Sequence, residues 1–162
     1  MTLEILKYPN DYLDRAVSPV EKVDDALIKI IHQMFDTMYD HNGIGLAANQ
    51  VGLDKALLVF DCSDDADSPR CLINPVVKVA NGDRLHQEGC LSFPGVDLII
   101  SRPSTIVVEY TDINGRQVKS TFKDLEAICI QHEIDHLDGI TFLNRVNRSA
   151  RRGALKTLRK RK

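Results

Sequence analysis

A chain of 162 residues, 43% hydrophobic and 27% charged, is sized for one domain that buries about 70% of the surface its unfolded form exposes. No apolar run approaches the roughly 18 residues of a membrane span, and Met1-Thr2-Leu3-Glu4 lacks the pattern of a secretory or transit peptide. The four cysteines, at positions 62, 71, 90 and 129, form no C-x-x-C pair and no disulfide framework, so a protein of a reducing cytoplasm, off the membrane, is expected; a monomer is expected as well.

Val23, Leu27, Ile30, Ile31, Met34, Phe35 and Met38 recur at helical spacing, predicting a first helix that ends near Asn42-Gly43. Residues 43–50, Gly-Ile-Gly-Leu-Ala-Ala-Asn-Gln, come directly after it. Taken alone, this is a helix cap and a tight turn, although its small residues also let a backbone come close to a ligand or a strand. Gln50 ends the run with an uncharged amide suited to holding a developing oxyanion. Residues 55–61 read as a buried strand and 71–79 as another, with the polar, Pro69-containing stretch 63–70 between them. Cys62 and Cys71 read as small buried hydrophobes.

Next comes Glu88-Gly89-Cys90-Leu91-Ser92-Phe93-Pro94. Cys90 follows a glycine and precedes a short apolar run closed by proline, which predicts an exposed turn or strand edge. Residues 104–111 and 116–122 flank Asp112-Ile113-Asn114-Gly115, a strong hairpin signal. A second helix is expected from about Asp124 to Leu137. Helix, strands and helix in this order predict an α+β fold, mainly antiparallel sheets packed around that second, central helix.

The second helix carries His132-Glu133-x-x-His136. Residues four apart share a helix face, so both imidazoles can reach one divalent ion, with Glu133 beside them as a base that ligates nothing. The plain alternative is two partly exposed helix histidines. Zinc proteases with this core take a third ligand from downstream, but beyond His136 the chain has no His, Cys or Glu and only one acid, Asp138. A third ligand must then come from upstream, and a Cys90 thiolate is a strong candidate. Leu125, Ile128 and Cys129 share the histidine face, while Ile130, Ile134 and Leu137 lie on another, which suits a helix buried on two sides.

The net charge of −2 conceals an asymmetry. Nine basic residues and no acid lie beyond Asn144, leaving −11 on residues 1–144. Residues 1–144, which hold the His132-Glu133-x-x-His136 motif and its candidate third ligand, are expected to be the catalytic unit, and 145–162 a basic tail or helix of the same domain. The tail is either a solubilising end or an anchor for RNA phosphates. Leu155 and Leu158 offer it a modest apolar stripe, weakened by Gly153.

Three segments, G-x-G-L-A-A-x-Q at 43–50, E-G-C-L-S at 88–92 and Q-H-E-x-D-H at 131–136, stand complete and in order, and together they closely resemble the peptide deformylase family. The resemblance extends over nearly the whole chain. It implies a hydrolase that takes the formyl group from the N-terminal formyl-methionine of newly made polypeptides and releases formate. Cys90, His132 and His136 would hold the metal, with Fe2+ as native ion and Zn2+, Ni2+ or Co2+ as substitutes. Glu133 would be the base, and Gln50 with the Leu91 backbone N–H would hold the oxyanion. Gly43, Ile44, Leu125, Ile128 and Cys129 would take the methionine side chain, and Gly45 and Gly89 the peptide backbone. Glu88 and Arg102 match a salt bridge that steadies the cysteine segment, while Asp135 orients a ligand imidazole or is a solvated helix acid. Asp97 stands where several relatives carry an arginine, which leaves the preference after methionine open. The tail would dock on the ribosome. A metallopeptidase and a catalytically idle RNA-binding protein are the competing classes; the intact Glu133 weighs against the latter.

Overall fold

The computed structural model describes residues 1–160, so Arg161 and Lys162 of the basic tail lie outside the described residues. Helix α1 (Asp25–Asp40) starts where the Asp24 carboxylate accepts the Leu27 N–H at 2.9 Å. Val23 therefore precedes the helix rather than opening it. At the other end Asn42, with φ +56°, takes the left-handed turn expected of Gly43, and the Gly43 N–H donates to the Met38 carbonyl at 2.9 Å.

The segment after α1 is more than a turn. Residues Gly45–Ala47 form strand β1, and Ala48–Val51 a single 3-10 turn. Strands β2 (Leu57–Phe60), β3 (Arg70–Asn81), β6 (Thr105–Thr111) and β7 (Gln117–Lys123) continue the sheet in the order β1-β2-β3-β6-β7, with every pair antiparallel. All four residues of β2 are buried, with alternate side chains in different cores. Leu57 and Val59 pack with Leu27, Ile31, Met34 and Met38 of α1. Leu58 and Phe60 pack with Ala127, Cys129 and Ile130 of helix α2 (Asp124–Leu137). The period of two in a strand thus sets α1 and α2 on opposite faces, which is why this strand is apolar throughout.

β7 runs into α2 with no intervening loop, the turn being made by Asp124 at φ +54°. Asp124 and Glu126 then lie in the first turn, where acids complement the helix dipole. Ala127, Ile128, Cys129, Ile130, His132, Glu133, Asp135, His136 and Leu137 are all buried, so α2 is covered along most of its length.

Strands β4 (Arg84–Gly89) and β5 (Asp97–Arg102) form a separate two-stranded sheet. Sequence reading leaves both unassigned. The residues of β4 are mostly exposed and show no apolar alternation, while β5 buries alternate positions Leu98, Ile100 and Arg102. This hairpin packs in a third core with Leu13, Phe93 and Phe142, and with Ala154 and Leu158 of helix α3 (Arg148–Lys160). Leu158 occupies the apolar stripe expected of the tail, but its buried companion is Ala154 and not Leu155.

Candidate metal centre

α2 sets His132 and His136 one turn apart, with ring centroids 5.0 Å from each other. Cys90 arrives at the end of β4, one residue past Gly89, and is half-buried. One ligand atom from each of the three lies within 4.8 Å of the other two. Cys90 Sγ is 3.3 Å from His136 Nε2. Two such atoms bound tetrahedrally to one ion would stand about 3.6 Å apart, so the set fits a divalent cation with little adjustment. The donor chemistry agrees: a thiolate and two imidazoles suit zinc, cobalt, nickel or ferrous iron and disfavour calcium or magnesium.

The surroundings fix the candidate ligand His132. Glu88 Oε1 lies 2.8 Å from His132 Nδ1, which leaves Nε2 free to face the centre. Glu88 is itself gripped by Arg102 through two nitrogens, at 2.5 and 3.0 Å. The expected Glu88–Arg102 bridge is therefore present, and it is buried on both sides. Asp135 neither orients an imidazole nor is solvated: it is buried and pairs with Arg102 and Arg145. Nothing in the pattern of the chain pointed to Arg145. Asn49 holds the end of α2 through its amide, which donates to the His136 carbonyl.

Gln50 accepts the Ala47 N–H on its oxygen at 2.9 Å, and this aims its NH2 at Ser92 Oγ, 3.1 Å away, and at Cys90 Sγ, 3.6 Å away. Ser92, which sequence reading did not single out, thus helps to orient the amide; its only signal was its place two residues after Cys90.

Burial lifts the Glu133 carboxyl to about 7, with His132 opposing the rise and Glu88 adding to it. Its Oε1 is buried and has no hydrogen-bond partner among the described residues. Such an atom is costly to bury unless something else contacts it. Burial also holds His136 well below the usual imidazole range, in the neutral form that binds a cation. Around His132, burial disfavours the charged ring, but Glu133, Cys90 and Glu88 outweigh it and raise its affinity for positive charge.

These groups open onto a cavity of about 420 Å³. Its lining includes Gln50, Cys90, Leu91, His132 and Glu133, and every residue expected to meet substrate: Gly43, Ile44, Gly45, Gly89, Leu125, Ile128 and Cys129. His136 lies beneath, fully buried. Two glycines make the cavity possible. A Cβ on Gly45 would stand 2.7 Å from both Cys129 Sγ and Glu133 Oε2, and one on Gly43 would stand 2.8 Å from Leu91 Cδ1. Asp97, paired with Gly89 across the β4–β5 ladder, lines the cavity beside His86 and Gln87.

Comparison with known proteins agrees with this geometry. The family model described as polypeptide deformylase matches residues 2–152. Peptide deformylase of Neisseria meningitidis serogroup C (strain FAM18) is 41% identical over 155 residues, spanning 96% of this chain and 92% of its own. That of Aquifex aeolicus is 40% identical over 163 residues, spanning 99% and 96%. Among solved structures, a peptide deformylase from Legionella pneumophila superposes with TM-score 0.94 at 36% identity, covering 99% of this chain and 95% of its own. One from Synechococcus elongatus, in complex with actinonin, superposes with TM-score 0.91 at 43% identity, covering 96% and 86%. The chain belongs to the polypeptide deformylase family.

Proposed function

We propose that the protein is a metal-dependent hydrolase that removes the formyl group from the N-terminal formyl-methionine of newly made polypeptides and releases formate. The observation that carries this reading is the buried, unpartnered Glu133 Oε1 beside the Cys90, His132 and His136 ligand set, on the wall of a largely apolar cavity. In this reading Cys90, His132 and His136 hold one divalent cation, Fe2+ in the native enzyme, with Zn2+, Ni2+ or Co2+ able to replace it. Such an ion supplies Lewis acidity, which acidifies water and polarises a carbonyl.

The protein's own groups do the rest. Glu133 in its carboxylate form takes a proton from water, and the oxygen attacks the formyl carbon. The Gln50 amide and the Leu91 backbone N–H donate to the oxygen that becomes negative. As the C–N bond breaks, Glu133 gives its proton to the departing amine, leaving formate and a free α-amino group. A basicity poised near neutral suits a group that must accept and return one proton in each turnover.

Leu125, Ile128 and Cys129, with Gly43 and Ile44, form the slot for the methionine side chain. Among the described residues β1 pairs only with β2, and so presents an edge along which Gly45 can bind an extended peptide. Gly89 offers a matching backbone on the other side, where Asp97 bears on the residues after methionine. Residues 1–144 carry this chemistry. Residues 145–162 form a basic extension of the same domain, whose exposed Arg148, Arg151, Arg152, Lys156 and Arg159 suit the phosphates of ribosomal RNA. The enzyme works as a monomer in the cytoplasm on nascent chains.

The competing metallopeptidase reading differs in the bond that is cut. Incubated with formyl-Met-Ala-Ser, the iron-loaded protein should yield formate and intact Met-Ala-Ser by mass spectrometry. Fragments cut at Met-Ala or Ala-Ser without formate would replace the deformylase reading with a peptidase.

A further inference from the structure

We propose that Arg145 is a positioning residue for the metal centre, acting on the ligand His132 through an unbroken relay of charged hydrogen bonds whose inner members are buried. The relay rests on the reading of Cys90, His132 and His136 as ligands. It runs from His132 Nδ1 to Glu88 Oε1 at 2.8 Å, and from both Glu88 oxygens to Nε and Nη2 of Arg102 at 2.5 and 3.0 Å. Arg102 has one nitrogen left, Nη1, and donates it to Asp135 Oδ2 at 2.9 Å. Arg145 closes the line with a two-pronged grip on Asp135, Nε to Oδ2 at 3.0 Å and Nη2 to Oδ1 at 2.7 Å.

Two carboxylates and two guanidiniums make this set neutral. The inner three side chains are nearly sealed from water: Glu88 and Arg102 are each 4% exposed and Asp135 is 10% exposed, against 45% for Arg145. Arg102 is therefore shared between two acids, and Arg145 decides how evenly. Without Arg145, Asp135 keeps one of its three charged hydrogen bonds and is left as an undercompensated buried carboxylate. Such a group draws in the nearest cation strongly, because little water reaches it. The nearest cation is Arg102, and any turn of its planar fork toward Asp135 moves it off Glu88. Glu88 is the group that sets the tilt and tautomer of His132. Arg145 lies three residues before α3, so the residue that leads into the basic helix also terminates the relay from the metal centre.

An anchor that merely pins the C-terminal segment would act on stability, whereas a positioning residue acts on the ion. The test loads the unaltered protein, Arg145→Gln and Arg145→Lys with cobalt(II) and follows the thiolate-to-cobalt absorption of Cys90 while excess chelator is added. In parallel, the melting temperature of each metal-free form is measured. Arg145→Gln should lose cobalt about ten-fold faster, as outer partners of ligands typically do, with its metal-free melting temperature within a few degrees of the original. Arg145→Lys restores the charge but not the fork and should fall between the two.

Equal rates for all three proteins would overturn the proposal, as would a metal-free melting temperature that falls in step with retention. If Arg145→Gln does not fold, Arg145→Lys decides: retention equal to that of the unaltered protein overturns the proposal. Absence of the thiolate band in the unaltered protein would remove the ligand assignment and this inference with it. A normal band with equal rates would remove only the inference.

Discussion

Gln50 shows how much position matters at the scale of one residue. Its oxygen is occupied by the Ala47 N–H, so only the NH2 end can face the metal centre. Gln50→Ala should therefore lower kcat by about 10²–10³, the usual cost of losing one oxyanion donor, while metal content by elemental analysis stays at one equivalent. Asp61, outside the candidate ligand set, gives a pH signature. Burial would raise its pKa, but hydrogen bonds from Ser63, Tyr39 and the Ser68 backbone together outweigh that and hold it below the usual carboxylate range. A depressed folded-state pKa stabilises the fold above the unfolded value of about 4 and is lost as pH falls through the folded value. The stability gap between the unaltered protein and Asp61→Asn, read from urea midpoints, should narrow on acidification below about pH 4. Tyr39 runs the opposite way: burial and Asp61 push it up to about 12, so its contribution persists below pH 10 and is lost only as pH rises through 12.

Among the elements, β1 is short, lies at the sheet edge and depends on the smallness of Gly45. An added methyl meets Cys129 Sγ and Glu133 Oε2 at 2.7 Å, so Gly45→Ala displaces Glu133 or narrows the cavity. The expected result is a fall in kcat/KM of about ten-fold or more, with little change in melting temperature, since misplacing reacting groups costs more rate than stability. The elements also show what local pattern can and cannot reveal. α2 was legible because helical spacing and the metal motif coincide, and β6 and β7 because the Asp112–Gly115 turn punctuates them. The β4–β5 hairpin was not, because Glu88 and Arg102 satisfy each other inside it where apolar alternation would otherwise mark an inward face. β1 was hidden in a run of small residues whose strand character comes only from pairing with β2.

Over the whole molecule, three segments far apart in the chain meet at one cavity: β1 with its 3-10 turn, the end of β4, and α2. The residues that come together here could be named from the three motifs, the face of α2 and the family resemblance. The Asp135–Arg145 pairing could not, because a charged pair ten residues apart across a helix end carries no periodic signal. α3 is a packed part of the fold as well as a basic surface, with Leu158 only 7% exposed against Leu13, Phe93 and Phe142. Leu158→Ala should cost about 2–3 kcal/mol by chemical denaturation. The most direct test of the central claim is formate release from formyl-Met-Ala-Ser by anaerobically prepared, iron(II)-loaded protein beside Glu133→Ala, with metal content measured in both. The account predicts one equivalent of iron in each and formate only where Glu133 is intact. Equal formate from Glu133→Ala, or none from unaltered protein holding its iron, would contradict it.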